Sequence, residues 1–183
     1  MEIPAQAKIV FRGKIFDVYQ WEQRMFDGSV ETFEMIKRPG TIQIVPTIGD
    51  KILLSQEEQP TKPRSFTFLG GRQEEGEDAL TGAKRELKEE AGLESQDWEL
   101  IKTYNPETKI DWPIFLFVAR NCIKVAEPNL DSGERIEVKE FDFADFINLA
   151  SSEGFFGGYI SDDLFRIKHD PKKLAEFKSL LFK

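Results

Sequence analysis

The sequence has one cysteine and one histidine in 183 residues, Cys122 and His169. A lone cysteine closes no intrachain disulfide, which suits a reducing compartment. One of each also argues against a tetrahedral zinc site. Cys122 ends the apolar run WPIFLFVARNC and reads as a packed small side chain rather than a nucleophile. No window is apolar over a membrane-spanning length, and MEIPAQAKIV lacks the basic-then-apolar pattern of an export signal. The cytoplasm is therefore the expected location. Basic residues are scarce too: 25 Lys and Arg against 33 Asp and Glu leave a net charge of −8. Nucleic acid and anionic membranes call for a basic footprint, so neither is expected as a partner. An anionic small molecule requires a cation to receive it.

What is present is a chain of single-domain length with sixteen phenylalanines, enough for an aromatic-rich core. Residues 8–36 alternate loosely around an Asp27-Gly28 turn signal, as a meander of antiparallel strands does. Pro39-Gly40 breaks the pattern. TIQIVPTIGDKILLS then predicts a hairpin turning at Gly49-Asp50, QEEQPTKPR a loop, and SFTFLGG a short strand running into glycines. Helical spacing of Leu80, Ala83, Leu87 and Ala91 predicts a helix over about 78–91, with Gly92 as its stop. Strands are expected near 98–104 and 112–120, then the acidic loop AEPNLDSGE and a strand at RIEVKEFDF. Helices are expected over 143–152, 160–168 and 171–182. Strands with helices between and after them indicate an α+β or α/β/α sandwich.

The segment GGRQEEGEDALTGAKRELKEEAGL, residues 70–93, crowds carboxylates onto its one helix. Positions i, i+3 and i+4 share a helix face, so Glu86, Glu89 and Glu90 project together. Like charges at that spacing cost about 0.2–0.5 kcal/mol a pair on an exposed helix. A solvated acidic face is one reading of such a run. The other is a divalent cation that turns repulsion into ligation, and oxygen donors suit Mg²⁺ or Mn²⁺.

The spacing Gly71-x5-Glu77-x7-Arg85-Glu86-Leu87-x-Glu89-Glu90-x-Gly92-Leu93 resembles the full signature of the Nudix hydrolase superfamily. That resemblance implies a Nudix-type α/β/α sandwich with a mixed sheet, which cleaves a nucleoside diphosphate linked to another moiety. It implies that Glu86, Glu89, Glu90 and the Gly71 carbonyl hold Mg²⁺, with Mn²⁺ as a possible substitute. It further implies that Arg85 orients a glutamate and that Glu77 supports the loop–helix junction. Metal ions would neutralise the diphosphate as water attacks phosphorus.

Residues 10–145 resemble, more weakly, the ADP-ribose and nucleotide-sugar pyrophosphatase group. The resemblance implies an N-terminal antiparallel β-sheet extension over 1–38 that serves a homodimer, ahead of a hydrolase domain over 39–183. LDSGERIEV is similar to the stretch supplying that group's catalytic glutamate, which makes Glu134 the candidate base and Glu137 the second. Gln56-Glu57-Glu58 departs from the usual Gln-Tyr-Arg and removes an arginine expected near the phosphates. Lys62, Arg64 or Arg72 are the candidates to replace it. Phe68-Leu69-Gly70 stands where Leu-Pro-Ala is common, and Thr67 where glutamate is frequent. Trp21, Phe33 and Trp112 are candidate stacking platforms for a nucleobase. The expected substrate is a nucleotide sugar such as ADP-ribose, giving nucleoside monophosphate and sugar phosphate. The alternatives are a triphosphate, a dinucleoside polyphosphate or a nucleotide coenzyme as substrate, or a regulator that binds nucleotide without cleaving it.

Overall fold

The computed structural model describes residues 2–183. The chain opens with β1 (Lys8–Arg12), β2 (Asp17–Arg24) and β3 (Val30–Lys37), an antiparallel meander. Its second turn follows the Asp27-Gly28 signal: Gly28 takes φ +88°, and Asp27 Oδ1 accepts the Ser29 N–H at 2.9 Å. A later two-residue strand, β9 (Ile110–Asp111), joins this sheet in parallel beside β3. The N-terminal sheet is thus completed by residues from far along the chain.

The main sheet is mixed. Its central pair is β4 (Thr41–Ile48) with β10 (Ile114–Arg120), parallel from Ile114↔Thr41 to Ala119↔Pro46. Outward from β10 lies β8 (Asp97–Tyr104), antiparallel. On the other side come β5 (Lys51–Gln59) and β12 (Arg135–Phe141), and β6 (Lys62–Thr67) also pairs with β5. The stretch QEEQPTKPR is therefore not a loop. The polar residues continue β5 to Gln59, Pro60-Thr61 make the turn, and Gln59↔Lys62 restart the ladder. Charge pairing across the hairpin, Glu57 with Lys62 at 3.2 Å, offsets the low strand propensity of these residues. Two further two-residue strands, β7 (Leu93–Glu94) and β11 (Ile123–Lys124), pair with each other, and sequence periodicity shows neither.

Strand alternation divides the core between two faces. Ile42, Ile44, Leu53, Phe117 and Ala119 pack against Ala83 and Leu87 of α1 (Ala79–Ala91). Val45, Ile52, Leu54, Leu116 and Val118 point the other way, onto α2 (Phe143–Ala150), α3 (Ile160–Lys168) and α4 (Pro171–Leu181). The result is an α/β/α sandwich in which, among the described residues, α1 is the helix that covers one face. Cys122 is buried in the α1 layer, and desolvation pushes its thiol up to about 11, so it packs as a small apolar group. Among the described residues no helix is long and apolar enough to cross a membrane.

Candidate active site

Helix α1 is fixed at both ends. Asp78 caps its start, accepting the N–H groups of Leu80 and Thr81 at 3.0 Å each. Gly92 ends it in the left-handed region at φ 67°, where a side chain would also bring a Cβ to 2.0 Å from the Ala126 carbonyl. That close approach docks the acidic loop on the end of the helix. Val125 and Ala126 donate to the Gly92 carbonyl at 2.8 and 3.1 Å, and Asn129 N–H reaches the Glu89 carbonyl at 2.7 Å. The glycine that stops the helix therefore delivers Leu130, Asp131 and Glu134 to the side where Glu86, Glu89 and Glu90 project.

The three helix carboxylates do not share one outward face equally. Glu89 is 43% exposed, Glu86 13%, and Glu90 is buried because it lies three residues after Leu87, beside the apolar stripe. Glu90 Oε2 accepts the Gly70 N–H at 2.7 Å, and burial holds its pKa well above the usual carboxylate range. Burial also lifts Glu86 to about 6, against the pull of the Arg85 guanidinium. Arg85 Nη1 donates at 2.9 Å to both Glu86 Oε1 and Glu89 Oε2. Its Nε and Nη2 donate to Glu77 at 3.0 and 3.2 Å, and Glu77 in turn accepts the Glu74 N–H at 3.1 Å. One guanidinium thus ties the loop before the helix to two of its carboxylates.

Glu86, Glu89, Glu90 and Glu134 line a single cleft of about 430 Å³. Seven carboxylates line it against three arginines, Arg38, Arg72 and Arg85. Such a surface repels a diphosphate unless cations are added. The donor set is all hard oxygen, which fits Mg²⁺ or Mn²⁺. Gly71 completes the fit: a Cβ there would sit 2.7 Å from Glu86 Oε1, so only glycine leaves the carboxylate its place. Its carbonyl accepts the Ile42 N–H at 2.8 Å and keeps a second lone pair. Among the described residues no three acidic groups converge at ligating distance; Glu86 and Glu89 converge on Arg85 instead.

The other residues singled out in the sequence are dispersed. Glu134 is in the cleft, its pKa raised by burial and then by Asp131 and Glu57. Glu137 is on β12 outside it, paired with Lys139 and with Arg64 at 2.7 Å, and these pairs lower its pKa. Arg64 is committed to that pair, and Lys62 to Glu57, while Arg72 lines the cleft. Trp21 and Phe33 are cross-strand partners in the N-terminal sheet, ring centroids 5.4 Å apart, with Trp21 buried. Trp112 donates to Thr41 Oγ1 at 2.9 Å and its ring is covered by Arg38. None of the three aromatics lines the cleft.

Arg38 and Glu57 are among the cleft residues to which sequence patterns give no role. Arg38 precedes the Pro39-Gly40 break and looks like a turn residue. Yet its guanidinium lies 4.4 Å from the Trp112 centroid and 5.7 Å from that of Phe16, and its buried Nε has no acceptor. Burial, followed by the charge of Arg72, lowers its pKa. Glu57 was hidden by reading its strand as loop; it is buried and adds a carboxylate beside Glu90 and Glu134. Strand alternation across 51–59 was the signal available for it.

A family model described as NUDIX domain matches residues 37–159. The chain is 27% identical over 147 residues to the ADP-ribose pyrophosphatase of Bacillus subtilis (strain 168), covering 78% of this chain and 80% of that protein. It is 25% identical over 135 residues to the methanol dehydrogenase activator of Bacillus methanolicus, covering 72% and 73%. A solved structure of an ADP compounds hydrolase superposes with a TM-score of 0.72 at 22% identity, over 90% of this chain and 91% of that one. At that identity the superposition speaks for the fold.

Proposed function

Because this chain belongs to the NUDIX family, we propose that it is a Mg²⁺-dependent pyrophosphatase of a nucleoside diphosphate sugar, with ADP-ribose the leading substrate. The observation that carries this reading is the cleft itself, where the box carboxylates and Glu134 face one volume. Glu86, Glu89, Glu90 and the Gly71 carbonyl would hold the cation, Mg²⁺ or Mn²⁺ in its place. When bound, it supplies charge neutralisation of the diphosphate and Lewis-acid activation at phosphorus and water. Glu134 takes the proton of the attacking water, a role suited by its raised pKa. Arg38 and Arg72 receive the diphosphate oxygens, in place of the arginine absent from Gln56-Glu57-Glu58. Arg85 holds Glu86 and Glu89 in register with the loop through Glu77. The products are a nucleoside monophosphate and a sugar phosphate.

The N-terminal extension, residues 1–38, serves a homodimer in this reading. Val10, Phe11, Phe26 and Val30 are each more than half exposed on that sheet and its turn, apolar surface that a second copy would cover. A lone buried thiol suits a cytoplasmic protein. The test of function is to incubate the protein with Mg²⁺ and a panel of diphosphate compounds and to identify the products. AMP plus ribose 5-phosphate from ADP-ribose supports the reading. Release of inorganic pyrophosphate from triphosphates would replace it with the triphosphate reading, and nucleotide binding without any turnover with that of a regulator.

A further inference from the structure

A second pocket, of about 450 Å³, opens between the β1–β2 loop, the end of β3 and the loop that leads into α1. It shares Ile15, Arg38 and Glu74 with the carboxylate cleft, so a ligand lying in one extends past Arg38 into the other. The N-terminal sheet gives it Arg12, Lys14, Lys37 and Arg38. Arg12 is engaged by Asp17 at 3.9 Å and Lys37 by Asp111 at 3.6 Å. Among the described residues, Lys14 and Arg38 take part in no salt bridge, and the Arg38 Nε is buried without an acceptor. Glu74 and Glu75 come from the opposite side, on the loop before α1. A partly buried guanidinium without a counter-ion is costly unless something supplies one. The flanking rings of Trp112 and Phe16 fix its position, so it is pre-organised for a planar, charge-assisted contact.

We infer that this pocket receives an additional phosphoryl group of the substrate, beyond the diphosphate that is cleaved. The inference rests on the reading of the carboxylate cleft as the diphosphate site. It extends that reading to compounds with one phosphate more than ADP-ribose, for which Arg38, shared by the two pockets, would span both phosphoryl sites and Lys14 would hold the added group. Two sources carry the same chemistry: a phosphomonoester on the ribose, or one more phosphoryl unit in the chain. Each presents oxygens to Lys14 Nζ and the free edge of Arg38.

Calorimetry on the full chain in millimolar Mg²⁺ separates them. The baseline ligand is α,β-methylene ADP, the chain probe is α,β-methylene ATP, and the ribose probe is adenosine 3′-phosphate 5′-diphosphate. At least one probe is expected to bind about tenfold or more tighter than the baseline, the return on one charge-assisted contact. Lys14→Glu is expected to erase that gain while leaving baseline affinity in place; the probe that gains names the source. If neither probe gains tenfold, or the gain survives in Lys14→Glu, the pocket does not hold a phosphoryl group. ADP-ribose turnover in the same preparation is scored separately. Lost probe preference with intact turnover overturns the pocket alone, and intact preference without turnover overturns the reaction alone.

Discussion

Gly70 donates its backbone N–H to Glu90 at 2.7 Å, and it does so from φ +126°, a conformation that glycine adopts freely and other residues resist. A Cβ at Gly70 would come within 2.3 Å of the Ile42 carbonyl oxygen, which is backbone and cannot swing aside. Gly70→Ala therefore combines strain with displacement of a donor to a buried carboxylate. A loss of about 2–4 kcal/mol is expected, from strain of about 1–3 kcal/mol and the unpaired Glu90. Urea melts of the two proteins check it; a midpoint unchanged in Gly70→Ala would mean that the turn relaxes freely.

Glu86 and Glu90 make the stability of the protein pH-dependent. Both folded pKa values lie above the unfolded ones, so the folded state holds protons that the unfolded state releases. By linkage, stability falls as pH rises through that interval. For Glu86 the window runs from 4.5 to about 6, and the shift corresponds to about 2 kcal/mol lost across it. Chelator-treated protein should thus melt lower at pH 7 than at pH 5. Millimolar Mg²⁺ should raise the pH 7 melting temperature most, since a ligand of the folded state stabilises by RT ln(1 + [L]/Kd). Melting curves at the two pH values, with and without Mg²⁺, decide this. An unmoved curve at pH 7 would return the three glutamates to a solvated acidic face.

Arg38→Ala should raise KM for ADP-ribose about tenfold or more, with kcat less affected, because in the proposed site the side chain binds phosphate oxygens in both ground and transition states. The variant also gives up a stack on Trp112, worth about 0.5–2 kcal/mol. Arg38→Lys keeps the charge and loses the planar fork, so it should recover only part of the affinity. Steady-state kinetics of the three proteins provide the check; equal KM values would remove Arg38 from the substrate site.

The helix and its carboxylates were legible because a short local code writes them: Leu80, Ala83, Leu87 and Ala91 mark the apolar face, and Gly92 stops. The strand meander at 8–36 and the hairpin at Gly49-Asp50 were legible for the same reason. Residues 56–64 were not, since their polarity resembles loop composition, and it is pairing with distant β12 and with β6 that makes them strand. Arg38 shows the deeper limit. Its environment is assembled from Phe16 on one side and Trp112 on the other, the second far away in sequence. No local pattern at Pro39-Gly40 encodes that meeting. The graded burial of Glu86, Glu89 and Glu90 follows from the place of Glu90 three residues after Leu87, on the side of α1 that packs against the sheet.

Glu134 and Glu137 offer the sharpest separation of roles. They lie three residues apart, yet Glu134 lines the cleft and Glu137 is held outside it by Arg64 and Lys139. Desolvation and neighbouring acids raise the pKa of Glu134, which favours its taking a proton, whereas its partners depress that of Glu137. General-base assistance contributes about 10²–10⁴-fold. Glu134→Gln should therefore lower kcat by at least about a hundredfold. KM and the Mg²⁺-induced rise in melting temperature should stay near wild type, because the α1 carboxylates proposed to hold the metal are untouched. Glu137→Gln frees Arg64 and Lys139 at an exposed site and should change kcat little. The reverse pattern, an inactive Glu137→Gln and an active Glu134→Gln, would pass the role to Glu137. If both remain active, the proton goes to a carboxylate already in the cleft, and Glu57, buried beside Glu90 and Glu134, is the next to replace with glutamine.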